Sequence, residues 1–185
     1  MNSPMDQRND VLREISDAVN LLSGSINPHL VPETGANIGF ALTGARDSRD
    51  VAAVREGIGL KGGRVTAAGP CMFDADAAIA RIVLTAMKFD PAIRSAAIIR
   101  YSNHAIPILE DMLLECCSFD RAKEPPGIST MDWGVASCCR DSVPDVIYDR
   151  GTREKKPLIR FFAEHPINVA NNIIMLSDRF QYLQL

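Results

Sequence analysis

The chain has 185 residues, of which 46% are hydrophobic and 23% charged, and its formal net charge is −3. This composition is typical of a single globular domain and excludes disordered and fibrous proteins. No apolar stretch reaches the roughly 18 residues expected of a membrane helix, the acidic balance argues against direct nucleic-acid binding, and the first ten residues lack the features of a secretory signal.

Apolar spacing and turn residues predict an alternation of helices and strands along the whole chain. In order, the first elements are a helix from Val11 to Leu22 with Asn9 as its N-cap, a strand from Asn37 to Leu42, one helical turn within Ala45 to Glu56, a hairpin at Gly62-Gly63, a helix from Asp76 to Asp90, a strand from Ala96 to Tyr101 and a helix from Ser102 to about Leu114. The remaining elements are a short strand from Cys116 to Phe119, a loop from Arg121 to Ser129, a helix from Thr130 to Ser137, strands from Asp145 to Tyr148 and Leu158 to Phe162, and a helix from Pro166 to Ser177. This alternation predicts an α/β layer architecture, and the hairpin implies some antiparallel pairing.

Cationic residues follow several of the predicted strands. Asp149-Arg150-Gly151 leaves one strand and runs into Lys155 and Lys156, and both Arg100-Tyr101 and Asp120-Arg121 follow others. Open α/β sheets bind ligands at strand ends, and the planar guanidinium group matches phosphate oxygens. Phosphate binding and ordinary solvated surface charge both remain open at this point.

The general motif searches predict neither a nucleotide site nor a metal site. The chain has no P-loop and no Rossmann glycine pattern, and its histidines, His29, His104 and His165, lie far apart. The five cysteines include the adjacent pairs Cys116-Cys117 and Cys138-Cys139, a spacing unlike that of zinc sites. We therefore expect five free thiols, no metal and no cofactor, in a cytoplasmic protein.

Several ordered segments resemble the ThiN-type thiamine-phosphate synthases of archaea and some bacteria, over about residues 8 to 176. The segments are Val31 to Ile38, Asp50 to Val54, Ala80 to Met87, Phe89 to Pro91, Ile93 to Ala96, Ile99 to Ser102, Ser118 to Arg121, Thr130 to Gly134 and Pro144 to Gly151. The resemblance implies one ThiN-like domain over residues 1–185. It also implies three layers, with helices on both faces of a mixed, largely antiparallel sheet similar to class II aldolases.

The resemblance also implies a reaction, in which hydroxymethylpyrimidine diphosphate and a thiazole phosphate are joined to give thiamine phosphate and pyrophosphate. Fixed cations would stabilise the departing diphosphate. Family members with synthase activity have an arginine where the register places Gly57, and a Ser-Arg-His run where this chain has Asp76, Ala77 and Ala78. The family's asparagine before the Ile-Arg-Tyr stretch is Ile98 here, and its glycine-rich turn after Gly151 is Thr152 to Glu154.

Because Gly57 and Ala78 offer no donor for a diphosphate, we expect no catalytic residues at these positions and a non-catalytic domain that binds thiamine phosphate or a related phosphorylated ligand. The predicted ligand residues are Asn37, Arg46, Arg100, Arg121, Asp149, Arg150, Gly151 and Lys155. An active synthase that uses other arginines is the alternative, followed by an enzyme with another substrate or a structural partner of a thiamine enzyme. A non-catalytic domain that senses its ligand would act through a partner protein. A homodimer is compatible with the same function.

Overall fold

A computed structural model describes residues 3–127 and 131–182. The helices are α1 (Pro4–Leu22), α2 (Ala77–Phe89), α3 (Ala105–Asp111), α4 (Trp133–Cys138) and α5 (Pro166–Tyr182). The strands are β1 (Asn37–Ala41), β2 (Val51–Val54), β3 (Ile58–Lys61), β4 (Arg64–Ala67), β5 (Cys71–Phe73), β6 (Ser95–Arg100), β7 (Cys116–Ser118), β8 (Val146–Tyr148) and β9 (Leu158–Ala163).

Seven strands form one mixed sheet in the order β5-β2-β1-β6-β9-β8-β7. All of its pairings are antiparallel except β7 with β8, which are parallel. The strands β3 and β4 form a separate hairpin that contacts the start of β1 through the bridge between Ala36 and Ile58. The predicted α/β fold with a largely antiparallel sheet is thus confirmed.

Helices cover both faces of the sheet, as expected for a three-layer fold. Side chains of α1, α3 and α5 share one apolar cluster with the sheet residues Ile38, Phe40 and Phe161. Side chains of α2 and α4 share a second cluster with Phe162 on the opposite face. The alternation of Phe161 and Phe162 between the two clusters follows from the two-residue period of a β-strand.

The N-terminal helix begins earlier than its apolar pattern predicts. Ser3, not Asn9, is the N-cap, and its side chain and that of Asp6 exchange hydrogen bonds with each other's backbone N–H groups. Pro4 occupies the first turn, where its missing N–H is not needed. The first turns are exposed, so apolar periodicity could not reveal them.

Two strands of the sheet lie in stretches that the sequence did not assign to strands. Within 45–56 the helical turn is short, Ser48–Asp50, and the fully buried strand β2 follows it. The edge strand β5 has only three residues. The helix predicted from Ser102 to Leu114 is also shorter, since α3 spans Ala105–Asp111 and Leu113 has a positive φ of 60°.

The prediction of five free thiols is wrong, because Cys117 and Cys138 form a disulfide. Their Cα atoms lie 5.9 Å apart, within the usual range for such a bridge, because α4 packs beside the end of β7. Cys71, Cys116 and Cys139 are free. Spacing along the sequence gives no indication of this pairing, since the two residues are separated by 21 positions.

The loop and helix predicted on either side of Ser129 and Thr130 fall partly on residues 128–130, which lie outside the described residues. The helix that follows, α4, begins at Trp133, with Asp132 as its N-cap. Among the residues that the structure describes, no helix is long and apolar enough to cross a membrane.

Candidate functional site

Charged residues collect at one end of the sheet because several strands end there. The registers place the carboxyl ends of β6, β7 and β8 beside the amino end of β9. Arg100 ends β6, Arg121 follows β7, Asp149 follows β8, and Lys155 and Lys156 precede β9. The sheet topology therefore brings together the cationic segments that the sequence singled out.

A pocket of about 410 Å³ opens at this end, and we call it the strand-end cleft. It is lined by Pro32, Glu33, Thr34, Arg100, Arg121, Glu154, Lys155, Lys156, Pro157 and Leu158. Its volume lies within the range of small-molecule sites, roughly 300–1,000 Å³. The lining combines two prolines and a leucine with four cationic side chains and two carboxylates. The cleft can therefore offer apolar surface and cationic side chains to the same ligand.

Asp149, beside the cleft, is fully buried and shared by two arginines. Its Oδ2 accepts a hydrogen bond of 2.9 Å from Arg160 Nη1 and lies 3.3 Å from Arg121 Nη1. Its Oδ1 accepts from the backbone N–H of Gly151 at 2.8 Å. One carboxylate thus faces two guanidinium groups, so this cluster has one positive charge in excess. Such a charge in a protected site favours an anionic ligand.

Arg121 is the member of this cluster that reaches the cleft. Its side chain is 19% exposed, whereas that of Arg160 is 3% exposed. Its Nε is buried and has no hydrogen-bond partner among the described residues. Arg121 also borders two smaller neighbouring pockets of about 270 and 230 Å³. A partly exposed guanidinium at the junction of three pockets is suited to binding an oxyanion.

The two lysines of the cleft are held in ion pairs at its rim. Lys156 Nζ lies 2.6 Å from Glu33 Oε2, and Lys155 Nζ lies 3.1 Å from Glu124 Oε2. The hydrogen bond from Lys156 lowers the pKa of Glu33, and the charges of Lys156 and Arg100 act in the same direction. Both pairs are exposed enough for a ligand phosphate to compete for the lysines.

Arg150 and Gly151 form the turn after β8 and border the neighbouring pocket of about 270 Å³. Hydrogen bonding with Tyr101 raises the pKa of the exposed Arg150, and Tyr148 acts in the same direction. Gly151 has a φ of 72°, and a Cβ at this position would lie 2.5 Å from the carbonyl oxygen of Lys155. The turn that joins Asp149 to the lysines therefore requires glycine.

Asn37 and Arg46, two of the predicted ligand residues, line neither the strand-end cleft nor the neighbouring pocket of about 270 Å³. Asn37 is buried, and its amide donates to the carbonyl of Val54 and to Asp76 Oδ2, while its oxygen accepts from the N–H groups of Ile38 and Val54. These bonds use the polar atoms of its amide within the protein. Arg46 follows the carboxyl end of β1, and the antiparallel register places that end opposite the cleft.

The positions assigned to the family's arginine and histidine lie near the amino end of β1. Gly57 is buried with a φ of 75°, and a Cβ there would lie 2.9 Å from the carbonyl oxygen of Ala36. Ala78 is exposed in the first turn of α2, where its N–H donates to Asp76, the N-cap of that helix. Neither residue lines the strand-end cleft.

Sequence reasoning missed Arg160, Glu33 and Glu154 as site residues. Arg160 had a visible signal, since it is the one charge in the apolar run Leu158 to Phe162, and a buried charge requires a partner. Glu33 reaches Lys156 across 123 positions of sequence, which no local pattern reveals. Among the described residues, no group of three or more His, Cys, Asp or Glu side chains is placed to hold a metal ion.

Comparison with known families identifies the fold that holds this site. The family model described as thiamine-phosphate synthase ThiN matches residues 14–175. The chain belongs to the ThiN family. This ThiN domain keeps the family's sheet and helices, and the expectation drawn from its sequence segments is confirmed at the level of the family.

Two curated relatives have a similar sequence. The bifunctional thiamine biosynthesis protein ThiDN of Methanocaldococcus jannaschii is 38% identical over 176 residues, which is 94% of this chain but 42% of the relative. The ThiN domain thus spans less than half of that protein. The thiamine-phosphate synthase ThiN of Methanothermobacter thermautotrophicus is 32% identical over 162 residues, 84% of this chain and 85% of the relative.

Solved structures agree with the fold. The C-terminal domain of protein MJ0236 superposes with a TM-score of 0.87 at 36% identity, covering 95% of this chain and 98% of that one. The C-terminal domain of a phosphomethylpyrimidine kinase superposes with a TM-score of 0.81 at 33% identity, covering 90% of this chain and 98% of that one. This chain therefore shares its fold with these two C-terminal domains.

Proposed function

We propose that this ThiN domain binds thiamine phosphate, or a closely related phosphorylated ligand, in the strand-end cleft and does not join the two precursors. The observation that supports binding is the shared carboxylate of Asp149, which leaves one excess positive charge beside the cleft. Arg121, whose side chain is 19% exposed, brings that charge to the ligand side. A phosphate would accept its hydrogen bonds and compensate its charge.

The rest of the cleft suits the other part of such a ligand. Pro32, Pro157 and Leu158 provide apolar surface for a heterocyclic ring, and Arg100 and the two lysines on the same lining provide further phosphate partners. Glu154 is exposed on the same lining and has no ion-pair partner among the described residues. A ligand that combines a cationic ring with a phosphate complements both signs of charge in the cleft.

The absence of catalysis is proposed from the residues at the two family positions. A leaving diphosphate needs fixed donors, and neither the backbone of Gly57 nor the methyl group of Ala78 supplies a charged one. Each lost charged partner would remove about 2–4 kcal/mol of transition-state stabilisation, by analogy with a single oxyanion donor. Two such losses would slow the reaction by roughly 10³–10⁵-fold or more.

Thermal unfolding with added ligands tests the binding proposal. Thiamine phosphate at about 100 times its dissociation constant would add roughly 2.7 kcal/mol of stability. A chain of this size gains about 2–4 °C in melting temperature per kcal/mol, so we expect a rise of about 5–11 °C. Unphosphorylated thiamine should give a much smaller rise, because it lacks the charge-assisted contacts. The absence of a shift with any thiamine phosphate would refute the proposal.

An active synthase is the second candidate, and it is supported by the name of the Methanothermobacter relative and by the four cations of the cleft. The test is product formation from hydroxymethylpyrimidine diphosphate and thiazole phosphate at high protein concentration. We expect no thiamine phosphate, and turnover near the ordinary enzyme rate of about 1 s⁻¹ would establish the synthase instead. The Ala78→His variant restores the histidine that the family resemblance places at this position and is assayed beside the wild-type protein. Because Ala78 is exposed, the larger side chain should fit.

A further inference from the structure

The disulfide encloses the segment that carries the main cation of the cleft. Cys117 lies in β7 and Cys138 ends α4, so the bridge closes a loop over residues 118–137. Within this loop, Phe119 and Arg121 follow β7, and residues 124–127 line the pocket next to the cleft. The proposed ligand partner Arg121 is therefore four residues from a covalent cross-link.

Contacts within the protein connect the bridge to the charge cluster. Phe119, two residues after Cys117, packs edge-on against Trp133 of α4, with ring centroids 6.0 Å apart. The guanidinium of Arg160 lies 5.1 Å from the centre of the Phe119 ring. Arg160 in turn holds Asp149, the carboxylate that also faces Arg121. Movement of β7 relative to α4 would therefore shift the ring that supports this cluster.

We propose that the Cys117–Cys138 bridge is a thiol–disulfide exchange site whose redox state sets the affinity of the strand-end cleft for phosphorylated ligands. This inference rests on the proposed function. The co-reactant is an external thiol, either a small molecule or a dithiol protein. Its thiolate attacks one sulfur of the bridge and forms a mixed disulfide, and the other cysteine leaves as a thiolate and takes up a proton.

A second external thiolate completes the exchange. It attacks the external sulfur of the mixed disulfide, which releases the remaining protein thiolate and leaves the external thiol pair as a disulfide. The protein bridge gains two electrons, and the external pair loses two. Cys117 and Cys138 are both partly exposed, so a small thiolate can approach them.

The neighbouring thiols are poorly suited to opening the bridge from within. Burial, with the charges of Glu110 and Asp145, raises the pKa of Cys116 to about 11, and burial raises the pKa of Cys139 to about 11. At pH 7 the thiolate fraction of each is on the order of 10⁻⁴, and only the thiolate attacks a disulfide. The state of the bridge thus follows external thiols and not its adjacent cysteines.

In the reduced state the segment after β7 loses its covalent link to α4. Ligand binding must then order Arg121, and the cost of this ordering weakens binding. We expect at least about five-fold weaker binding of thiamine phosphate to the reduced protein, the lower end of ordinary coupling between two sites. Faster hydrogen exchange is expected in the peptides that cover residues 118–127, whereas α1, which packs on the face of the sheet opposite α4, should exchange equally in both states.

The experiment compares the oxidised protein, the same protein reduced with a phosphine, and the Cys117→Ser/Cys138→Ser variant. Thiamine phosphate affinity is measured by calorimetry and hydrogen exchange by mass spectrometry. Cys71→Ser is the control variant, since Cys71 is free and lies in β5 at the other edge of the sheet. If the double variant fails to fold, the reduced wild-type protein provides the same comparison with the oxidised protein.

Weaker binding and faster exchange in both bridge-free forms, with Cys71→Ser unchanged, would support the inference. Equal affinity in the oxidised and reduced states would overturn it and leave the proposed function intact. Absence of binding in both states would refute the proposed function and this inference with it. Alkylation of five thiols without prior reduction, in protein incubated with oxidised glutathione, would also overturn it, because the bridge leaves three.

Discussion

Replacing Asp149 should mainly lower the stability of the protein, whereas replacing Arg121 should mainly weaken ligand binding. Asp149 is fully buried and holds Arg160, which is 3% exposed. Its replacement in Asp149→Ala leaves a buried guanidinium without a counter-charge, and breaking a buried pair in this way costs about 3–5 kcal/mol. For a chain of this size the melting temperature should fall by about 6–20 °C.

Arg121→Gln should cost far less stability. Arg121 contributes only longer contacts of 3.3 and 3.5 Å to a carboxylate that keeps Arg160 and the N–H of Gly151. Because Asp149 keeps its counter-charge from Arg160, the loss of stability should stay well below the roughly 3–5 kcal/mol expected for Asp149→Ala. Hydrogen bonds to charged groups are worth about 1.5–3 kcal/mol, so the loss of Arg121 should weaken thiamine phosphate binding by roughly 10–150-fold.

Denaturant unfolding and calorimetric titration measure these two effects, with Arg13→Gln as the control. Arg13 lies on α1 with a side chain that is 66% exposed, so its replacement by glutamine removes the same charge away from the cleft. The reasoning would be refuted by an Arg121→Gln protein that loses as much stability as Asp149→Ala. Unchanged affinity in Arg121→Gln would refute the assignment of Arg121 as a ligand partner.

Three further predictions concern the turn after β8 and the buried thiols. Arg150→Ala should reduce the thermal shift caused by thiamine phosphate without unfolding the protein, as scanning fluorimetry can establish. Gly151→Ala should lower the free energy of unfolding by about 1–3 kcal/mol, because its positive φ and the carbonyl of Lys155 leave no room for a Cβ; urea titration against wild type measures this. Stability should fall as the pH rises from about 9 towards 11, since the unfolded thiols ionise near 9 while folding holds the pKa values of Cys116 and Cys139 at about 11. Urea midpoints at pH 7.5 and 10 check this, and Cys139→Ala should show a smaller decrease.

The sequence predicted those parts of the fold that local patterns determine. The apolar, β-branched run from Ala96 to Tyr101 predicted β6, the apolar face of α2 has a clear helical period, and Gly62-Gly63 marks the hairpin. The strand β2 has four residues, all buried, beside a polar stretch, and β5 has only three residues in all, so neither strand is long enough to show alternation. Their strand structure comes from pairing with β1 and with each other, which local propensity does not contain.

The site was predictable only as separate segments. Arg100 ends a strand and Arg121 and Asp149 each follow one, and that pattern was enough to single them out. The sharing of Asp149 between Arg121 and Arg160 depends on the order of β7, β8 and β9 in the sheet. The same holds for the disulfide, which requires α4 to pack beside β7. Long-range packing decided each of these features.

A crystal structure of the oxidised protein with thiamine phosphate would test the binding site most directly. We predict the phosphate in the strand-end cleft, with its oxygens about 2.7–2.9 Å from guanidinium nitrogens of Arg121. The ring should lie against Pro32, Pro157 and Leu158. A ligand bound elsewhere on the protein, or a cleft that stays free of ligand at saturating concentration, would contradict this account.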